Sequence, residues 1–173
     1  MIASLAVLAL ATLLRLGELA LARRNTRRLL ARGATESGAE HYPLILGLNA
    51  AWLAGLWLLG WDRPVIVFWL LVYLILQGLR AWILLSLGER WTTRIITVAG
   101  EPLVRRGPYR WLPHPNYMLI AAEIAVLPLV FGLAAYALVF FLLNASLLWV
   151  RIRAENAALK LSEEPADEGP PPA

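Results

Sequence analysis

Long apolar blocks fill most of this sequence and restrict the folds that it can adopt. The blocks cover residues 2–22, 43–61, 65–87 and 118–150. A helix needs about 20 apolar residues to cross a bilayer, and its backbone polar groups must be satisfied within the protein there. With 60% hydrophobic and 16% charged residues, the chain is too apolar for an ordinary soluble domain. The sequence therefore predicts an all-α integral membrane protein.

The last block is too long for a single span. Pro128 and the Phe131–Gly132 step lie near its middle, and both residue types interrupt helices. We therefore predict a C-terminal helical hairpin and five transmembrane helices in one domain, residues 1–160, followed by a disordered acidic and Pro-rich tail at 161–173. The predicted spans are residues 2–22, 43–61, 65–87, 116–130 and 133–150.

Basic residues fall almost entirely on one side of the predicted membrane. They cluster after the first span, between the third and fourth spans, and after the last, whereas the opposite side has only Arg63. The positive-inside rule then predicts a multi-pass protein of the cell inner membrane, with its N-terminus outside and its C-terminus cytoplasmic. Residues 2–22 are interpreted as a span and not a signal peptide, because Arg15 and Glu18 would interrupt the apolar region. The basic residues indicate contact with membrane lipids, and we predict no nucleic-acid partner.

Several kinds of chemistry have no residues to support them. The chain has no cysteine, which excludes disulfides, thiolate metal sites and a cysteine nucleophile. His41 and His114 are far apart and lack metal-ligand spacing, so we predict no metal site. The sequence has no internal repeat, which argues against a transporter.

Polar residues recur at one depth inside the predicted spans. Counted at about 1.5 Å per residue, each lies about 10 Å below the cytoplasmic end of its span. Charges inside a bilayer are costly and usually pair, so we predict that Arg80 pairs with Glu123, and Arg15 with Glu18 or Glu123. Two interpretations stay open: a buried layer that fixes helix register, or the floor of a cytoplasm-facing cavity for a substrate. The members of this layer are Arg15, Asn49, Arg80, Glu123 and Asn144.

Two polar motifs flank the predicted hairpin. GPYRWLPHPNY, residues 107–117, precedes it, and RIRAENAAL, residues 151–159, follows it. Their order and spacing resemble the bacterial branch of the isoprenylcysteine carboxyl methyltransferase family, which carries Arg-His-Pro-x-Tyr and Arg-x-x-x-Glu-Glu-x-x-Leu motifs. RRNTRRLLARGATESGAEHYPL and LGERWTTRIITVAGEPLVRRGPYRW extend the resemblance. They are similar to the subgroup that methylates alkylpyrones and alkylresorcinols beside type III polyketide synthases.

The resemblance implies an S-adenosyl-L-methionine-dependent O-methyltransferase. The implied acceptor is lipophilic, either an alkylpyrone or alkylresorcinol hydroxyl or an isoprenylcysteine carboxylate, with a functional link to a type III polyketide synthase. The cofactor is polar and the acceptor dissolves in the bilayer. A pocket formed by the cytoplasmic loops would let each enter from its own phase. Methyl transfer needs alignment and water exclusion more than covalent help from the protein.

The resemblance and the polar layer together suggest a role for each residue. The expected catalytic residues are His114, as general base, Arg151 and Glu155. The cofactor is expected at Tyr109, His114, Pro115, Tyr117 and Glu155, and the acceptor at Arg80, Glu123, Asn144 and Arg153. The segments 91–94 and 36–42 are expected to complete the pocket wall. Simpler alternatives stay open: helix capping for these segments, an interfacial aromatic belt for Tyr109, Trp111 and Tyr117, and a turn before a helix for His114–Pro115.

Three positions depart from the family pattern. Pro113 stands where the family has arginine, Asn156 replaces the second glutamate, and Asn49 stands where the subgroup is expected to have histidine. These departures support an alternative function, namely a catalytically inactive homologue that acts as a membrane scaffold or lipid-binding subunit.

Overall fold

Helices make up most of the protein. A computed structural model describes residues 1–37, 42–97, 104–112 and 114–163, and of residues 154–163 it describes the backbone alone. Two short strands and two 3-10 turns, Gly88–Arg90 and Gly107–Arg110, lie between the helices. The helices are α1 (Ile2–Ala31), α2 (Tyr42–Gly60), α3 (Val67–Leu87), α4 (Pro115–Val130) and α5 (Ala134–Glu163), and the strands are β1 (Thr35–Ser37) and β2 (Ile95–Thr97).

Among the described residues, four helices are long and apolar enough to cross a membrane, namely α1, α2, α3 and α5. The fifth, α4, is apolar but has 16 residues. The predicted helical membrane protein is therefore confirmed, whereas the count of five spans stays a prediction. The chain turns after α4 because Gly132 has a φ of 69° and the amide of Leu133 donates to the carbonyl of Pro128.

Two helices extend beyond the spans that hydropathy predicts. The first continues from residue 22 to Ala31 and ends where Gly33 takes a φ of 85°. The last continues from residue 150 to Glu163, so its end lies within the segment predicted to be disordered, and residues 164–173 lie outside the described ones. Both extensions are polar. Hydropathy marks only the part of a helix that suits the bilayer. The first helix continues past that part until the chain reaches Gly33, whose left-handed conformation ends it.

Apolar side chains lie both inside and outside the bundle. The main core joins α1, α2, α3 and α4 through residues such as Leu8, Trp52, Tyr73 and Leu127. Large apolar side chains also cover the outer surface, for example Leu58 and Leu85, which are 77% and 79% exposed. A surface this apolar suits contact with lipid tails.

A small ribbon of two strands is an addition to the predicted all-α fold. β1 and β2 are antiparallel, and Thr35 lies opposite Thr97 with their hydroxyls 3.0 Å apart. Strands of three residues are too short to show an alternating pattern in the sequence. The ribbon brings together the chain after α1 and the chain after α3. The two segments expected to form the pocket wall therefore approach each other, although residues 38–41 lie outside the described residues.

Candidate active site

Four charged side chains from three helices form an ion cluster within the bundle: Arg15, Glu18, Arg80 and Glu123. Arg15 donates to Glu18 at 3.0 Å and to Glu123 at 2.5 Å. The Nε atom of Arg80 lies 3.3 Å from Oε1 of Glu123, and its Nη2 donates to Oε2 of the same carboxylate. Both ion pairs predicted from the sequence are confirmed. Two guanidinium groups and two carboxylates meet, so the charges within the cluster balance.

The ion cluster is buried and its hydrogen bonds are well satisfied. The side chain of Glu123 is 0% exposed and that of Arg80 is 4% exposed. Gln77 adds a hydrogen bond to Glu123 at 3.0 Å. A buried ion pair is tolerated only when its geometry and hydrogen bonds offset the loss of water. Because these charges neutralise one another, the geometry favours a role in holding helices together. Binding of an acceptor by Arg80 and Glu123 stays a prediction.

The other two members of the predicted polar layer lie outside the ion cluster. Asn49 donates to the carbonyl of Ile45 in its own helix, at 2.8 Å. Asn144 is 3% exposed, and its Nδ2 atom has no hydrogen-bond partner in the described part of the chain. An unsatisfied buried donor costs about 1–3 kcal/mol. A water molecule or a ligand oxygen would remove this cost.

The two polar motifs meet at the N-terminal end of α4. Arg151 donates from Nε to the hydroxyl of Tyr117 at 3.0 Å, and from Nη2 to the carbonyl of Thr93 at 2.6 Å. The guanidinium carbon lies 5.4 Å from the centre of the Tyr117 ring. His114 stacks on the same ring, with 5.5 Å between ring centres. We call His114, Tyr117, Arg151 and Thr93 the motif site. The structure thus brings together three of the residues that the sequence suggested.

Residues beside the two-stranded ribbon hold Thr93 of the motif site in place. The Thr93 hydroxyl lies 3.2 Å from that of Tyr42, and the guanidinium of Arg94 lies 4.7 Å from the centre of the Tyr42 ring. Glu36 accepts hydrogen bonds from Arg94 and thereby raises the pKa of that guanidinium. The sequence placed Thr93 in the segment 91–94 that was expected to complete the pocket wall, but it did not indicate the contact with Arg151. Thr93 contributes its backbone carbonyl, which every residue type has. The amino acid at this position therefore could not indicate the contact.

The remaining predicted residues lie elsewhere or are not described. Arg153 is exposed and stacks on Trp149, 3.7 Å from the ring centre, and it does not join the motif site. Tyr109 packs against an apolar cluster around Trp91, and Pro115 is buried at the first position of α4. The backbone of Glu155 and Asn156 is helical, but their side chains lie outside the described residues, as does Pro113.

A tight turn that requires glycine holds the segment that precedes the motif site. Gly107 has a φ of 59°, and a Cβ atom there would overlap the hydroxyl of Ser86. Arg106 donates to the Ser86 carbonyl at 2.6 Å and so ties the turn to α3. The close approach and the positive φ both require glycine at this position.

We expect Gly107→Ala to lower the free energy of unfolding by about 2 kcal/mol. The left-handed conformation costs a residue with a Cβ atom about 1–2 kcal/mol, and the overlap with Ser86 adds to it. Thermal unfolding in detergent measures the change. Gly17→Ala is the matched control, because a Cβ atom in that helix meets nothing within 4 Å. Equal unfolding temperatures for the two variants would contradict the requirement for glycine at position 107.

The fold and the two sites define a helical, multi-pass membrane protein with a polar site at one end of its bundle. A model of the isoprenylcysteine carboxyl methyltransferase (ICMT) family matches residues 69–161. This match covers more than half of the chain and includes nearly all of α3, the whole of α4 and the motif site. The chain therefore belongs to the ICMT family, and this membership indicates a membrane methyltransferase.

One relative extends the similarity over nearly the whole chain. The chain is 39% identical over 151 residues to "Uncharacterized protein YpbQ" of Bacillus subtilis (strain 168), covering 84% of this chain and 90% of the relative. No solved structure matches. The similarity to YpbQ therefore leaves the acceptor open.

Proposed function

We propose that this protein transfers a methyl group from S-adenosylmethionine to an oxygen of a lipophilic acceptor at the membrane surface. The observation that carries the proposal is the hydrogen bond between Arg151 and Tyr117, which joins the two family motifs in one site. The family match supports the cofactor, because ICMT enzymes generally use S-adenosylmethionine. The arginine distribution supports a site on the cytoplasmic face of the inner membrane and five spans.

The residues of the motif site suit this cofactor. When bound, it supplies a methyl group that its positively charged sulfur makes electrophilic. The guanidinium of Arg151 and the N-terminus of α4 both favour a carboxylate, and none of the described side chains caps α4 there. The faces of His114 and Tyr117 suit an adenine ring or a sulfonium. Glu155 follows Arg151 by one helical turn, and a carboxylate there suits the ammonium group or the ribose hydroxyls.

We favour an alkylpyrone or alkylresorcinol hydroxyl as the acceptor, of the kind that a type III polyketide synthase supplies. The support for this choice is the resemblance of residues 23–44 and 87–111 to the subgroup that methylates such lipids. In the ion cluster both arginines are already matched by glutamates. His114 would accept the hydroxyl proton, and the buried amide of Asn144 would donate to an acceptor oxygen.

The departures at Pro113 and Asn156 favour one alternative. A protein of this fold that had lost cofactor binding would act as a membrane scaffold or a lipid-binding subunit. Binding of the cofactor separates this alternative from the enzyme.

Calorimetry on the purified protein in detergent tests the proposal. We expect S-adenosylmethionine and S-adenosylhomocysteine to bind with a Kd of roughly micromolar size, and Glu155→Ala to weaken binding about tenfold. Glu89→Ala is the control, because Glu89 is exposed and pairs with Arg28 outside the motif site. A folded protein that binds neither compound would favour the inactive homologue. If binding is present, transfer of a labelled methyl group to an alkylresorcinol or to a prenylcysteine then distinguishes the two acceptor classes.

A further inference from the structure

One guanidinium connects the ion cluster to the start of α4. Arg80 donates from Nη1 to Oδ1 of Asn116 at 2.8 Å, while its Nε and Nη2 atoms contact Glu123. Asn116 is the second residue of α4 and lies in the chain between His114 and Tyr117 of the motif site. Its side chain thus links Arg80 to the helical turn that carries the motif site.

The geometry of α4 makes these two contacts a clamp. Residues 116 and 123 are nearly two helical turns apart and share one face of the helix. Helical side chains lean toward the N-terminus, so that of Glu123 reaches back toward Asn116 and both meet Arg80. Rotation of α4 would break both contacts, and sliding along its axis would break one of them. Arg80 therefore fixes the rotation of α4 about its axis and the position of its first two turns along that axis.

This clamp also sets the direction of Tyr117. The next residue along a helix points about 100° away, so when Asn116 faces Arg80 on α3, Tyr117 turns toward α5, where it meets Arg151. Among the described residues, no side chain caps the N-terminus of α4. The Arg80–Asn116 bond is a side-chain contact that orients this end of the helix from α3.

We propose that Arg80 and Asn116 are positioning residues that hold the start of α4 in the orientation that the cofactor requires. Both act through the motif site, and neither needs to touch the cofactor. This inference rests on the proposed methyltransferase function for its binding readout. The ion cluster then has a function beyond stability, because the packing of α1 and α3 determines how the start of α4 is oriented at the cofactor site.

Asn116→Ala tests the inference because it removes the contact and leaves the ion pairs in place. We expect the Kd for S-adenosylhomocysteine to rise about tenfold and the unfolding temperature to fall by no more than about 4 °C. Asn116→Asp keeps an oxygen for Arg80 and should restore the Kd to within about threefold. Asn49→Ala is the control, because in the described part of the chain that asparagine donates to the Ile45 carbonyl of its own helix. The Kd of this variant should stay within about twofold of wild type.

A second measurement works without the cofactor. In the absence of ligand, hydrogen exchange of the amides at residues 116–118 should be at least about fivefold faster in Asn116→Ala than in the wild type or Asn49→Ala. Unchanged exchange and unchanged affinity would overturn the inference. If the wild type binds no cofactor, the methyltransferase proposal fails. The exchange result then still decides whether Arg80 positions α4.

Discussion

Glu123→Leu is expected to lower the free energy of unfolding by about 3–5 kcal/mol. Loss of one partner from a buried pair leaves an uncompensated charge, which costs this much in known cases. The carboxylate of Glu123 is fully buried and accepts hydrogen bonds from Arg15, Gln77 and Arg80. After its removal, two arginines would share the single carboxylate of Glu18. Denaturation in mixed micelles, followed by tryptophan fluorescence, measures the loss.

The double variant Arg80→Leu/Glu123→Leu should recover part of this stability. It removes one charge of each sign and leaves Arg15 paired with Glu18. The double variant should therefore be more stable than the sum of the two single changes predicts. Gln77→Leu is the control, because it removes a neutral donor to Glu123 and should cost about 1 kcal/mol. Strict additivity of the Arg80 and Glu123 changes would contradict a direct pair.

Depth along a helix was enough to predict the ion pairs. Arg15, Arg80 and Glu123 lie at similar distances from the cytoplasmic ends of their predicted spans, and a charge in an apolar span has few partners at its own depth. Hydropathy likewise predicted four helices that are long and apolar enough to cross a membrane, α1, α2, α3 and α5. Hydropathy depends on the composition of each segment and needs no knowledge of packing.

Direction around a helix could not be predicted in the same way. Asn49 lies at the predicted depth but bonds to Ile45, and Arg153 turns outward to Trp149 although Arg151 turns inward. The contact between Arg80 and Asn116 was also missed, because it depends on how α3 packs on α4. Depth is a property of one helix, whereas direction is set by the neighbours. The same reason explains why the ribbon, a contact between distant segments, was absent from the prediction.

Arg151→Leu is expected to lower the rate of methyl transfer by about a hundredfold. Arg151 joins α5 to Tyr117 and to the Thr93 carbonyl, and each hydrogen bond to a charged group contributes about 1.5–3 kcal/mol. Their loss releases Tyr117 and removes the cation that suits the cofactor carboxylate. The rate of label transfer to an alkylresorcinol, at saturating acceptor, measures the effect.

Two further variants separate this role from general damage. Arg153→Leu removes an arginine two residues away that stacks on Trp149, and its rate should stay within about twofold of wild type. Tyr117→Phe keeps the ring and removes the hydroxyl that Arg151 contacts, so we expect a loss of about tenfold, near the lower end of the range for one hydrogen bond to a charged group. If the hydroxyl acts through Arg151, Tyr117→Phe should have no added effect in the Arg151→Leu background. If the rate of the double variant instead falls by the product of the two single losses, Tyr117 and Arg151 serve the reaction independently, even though they are in contact.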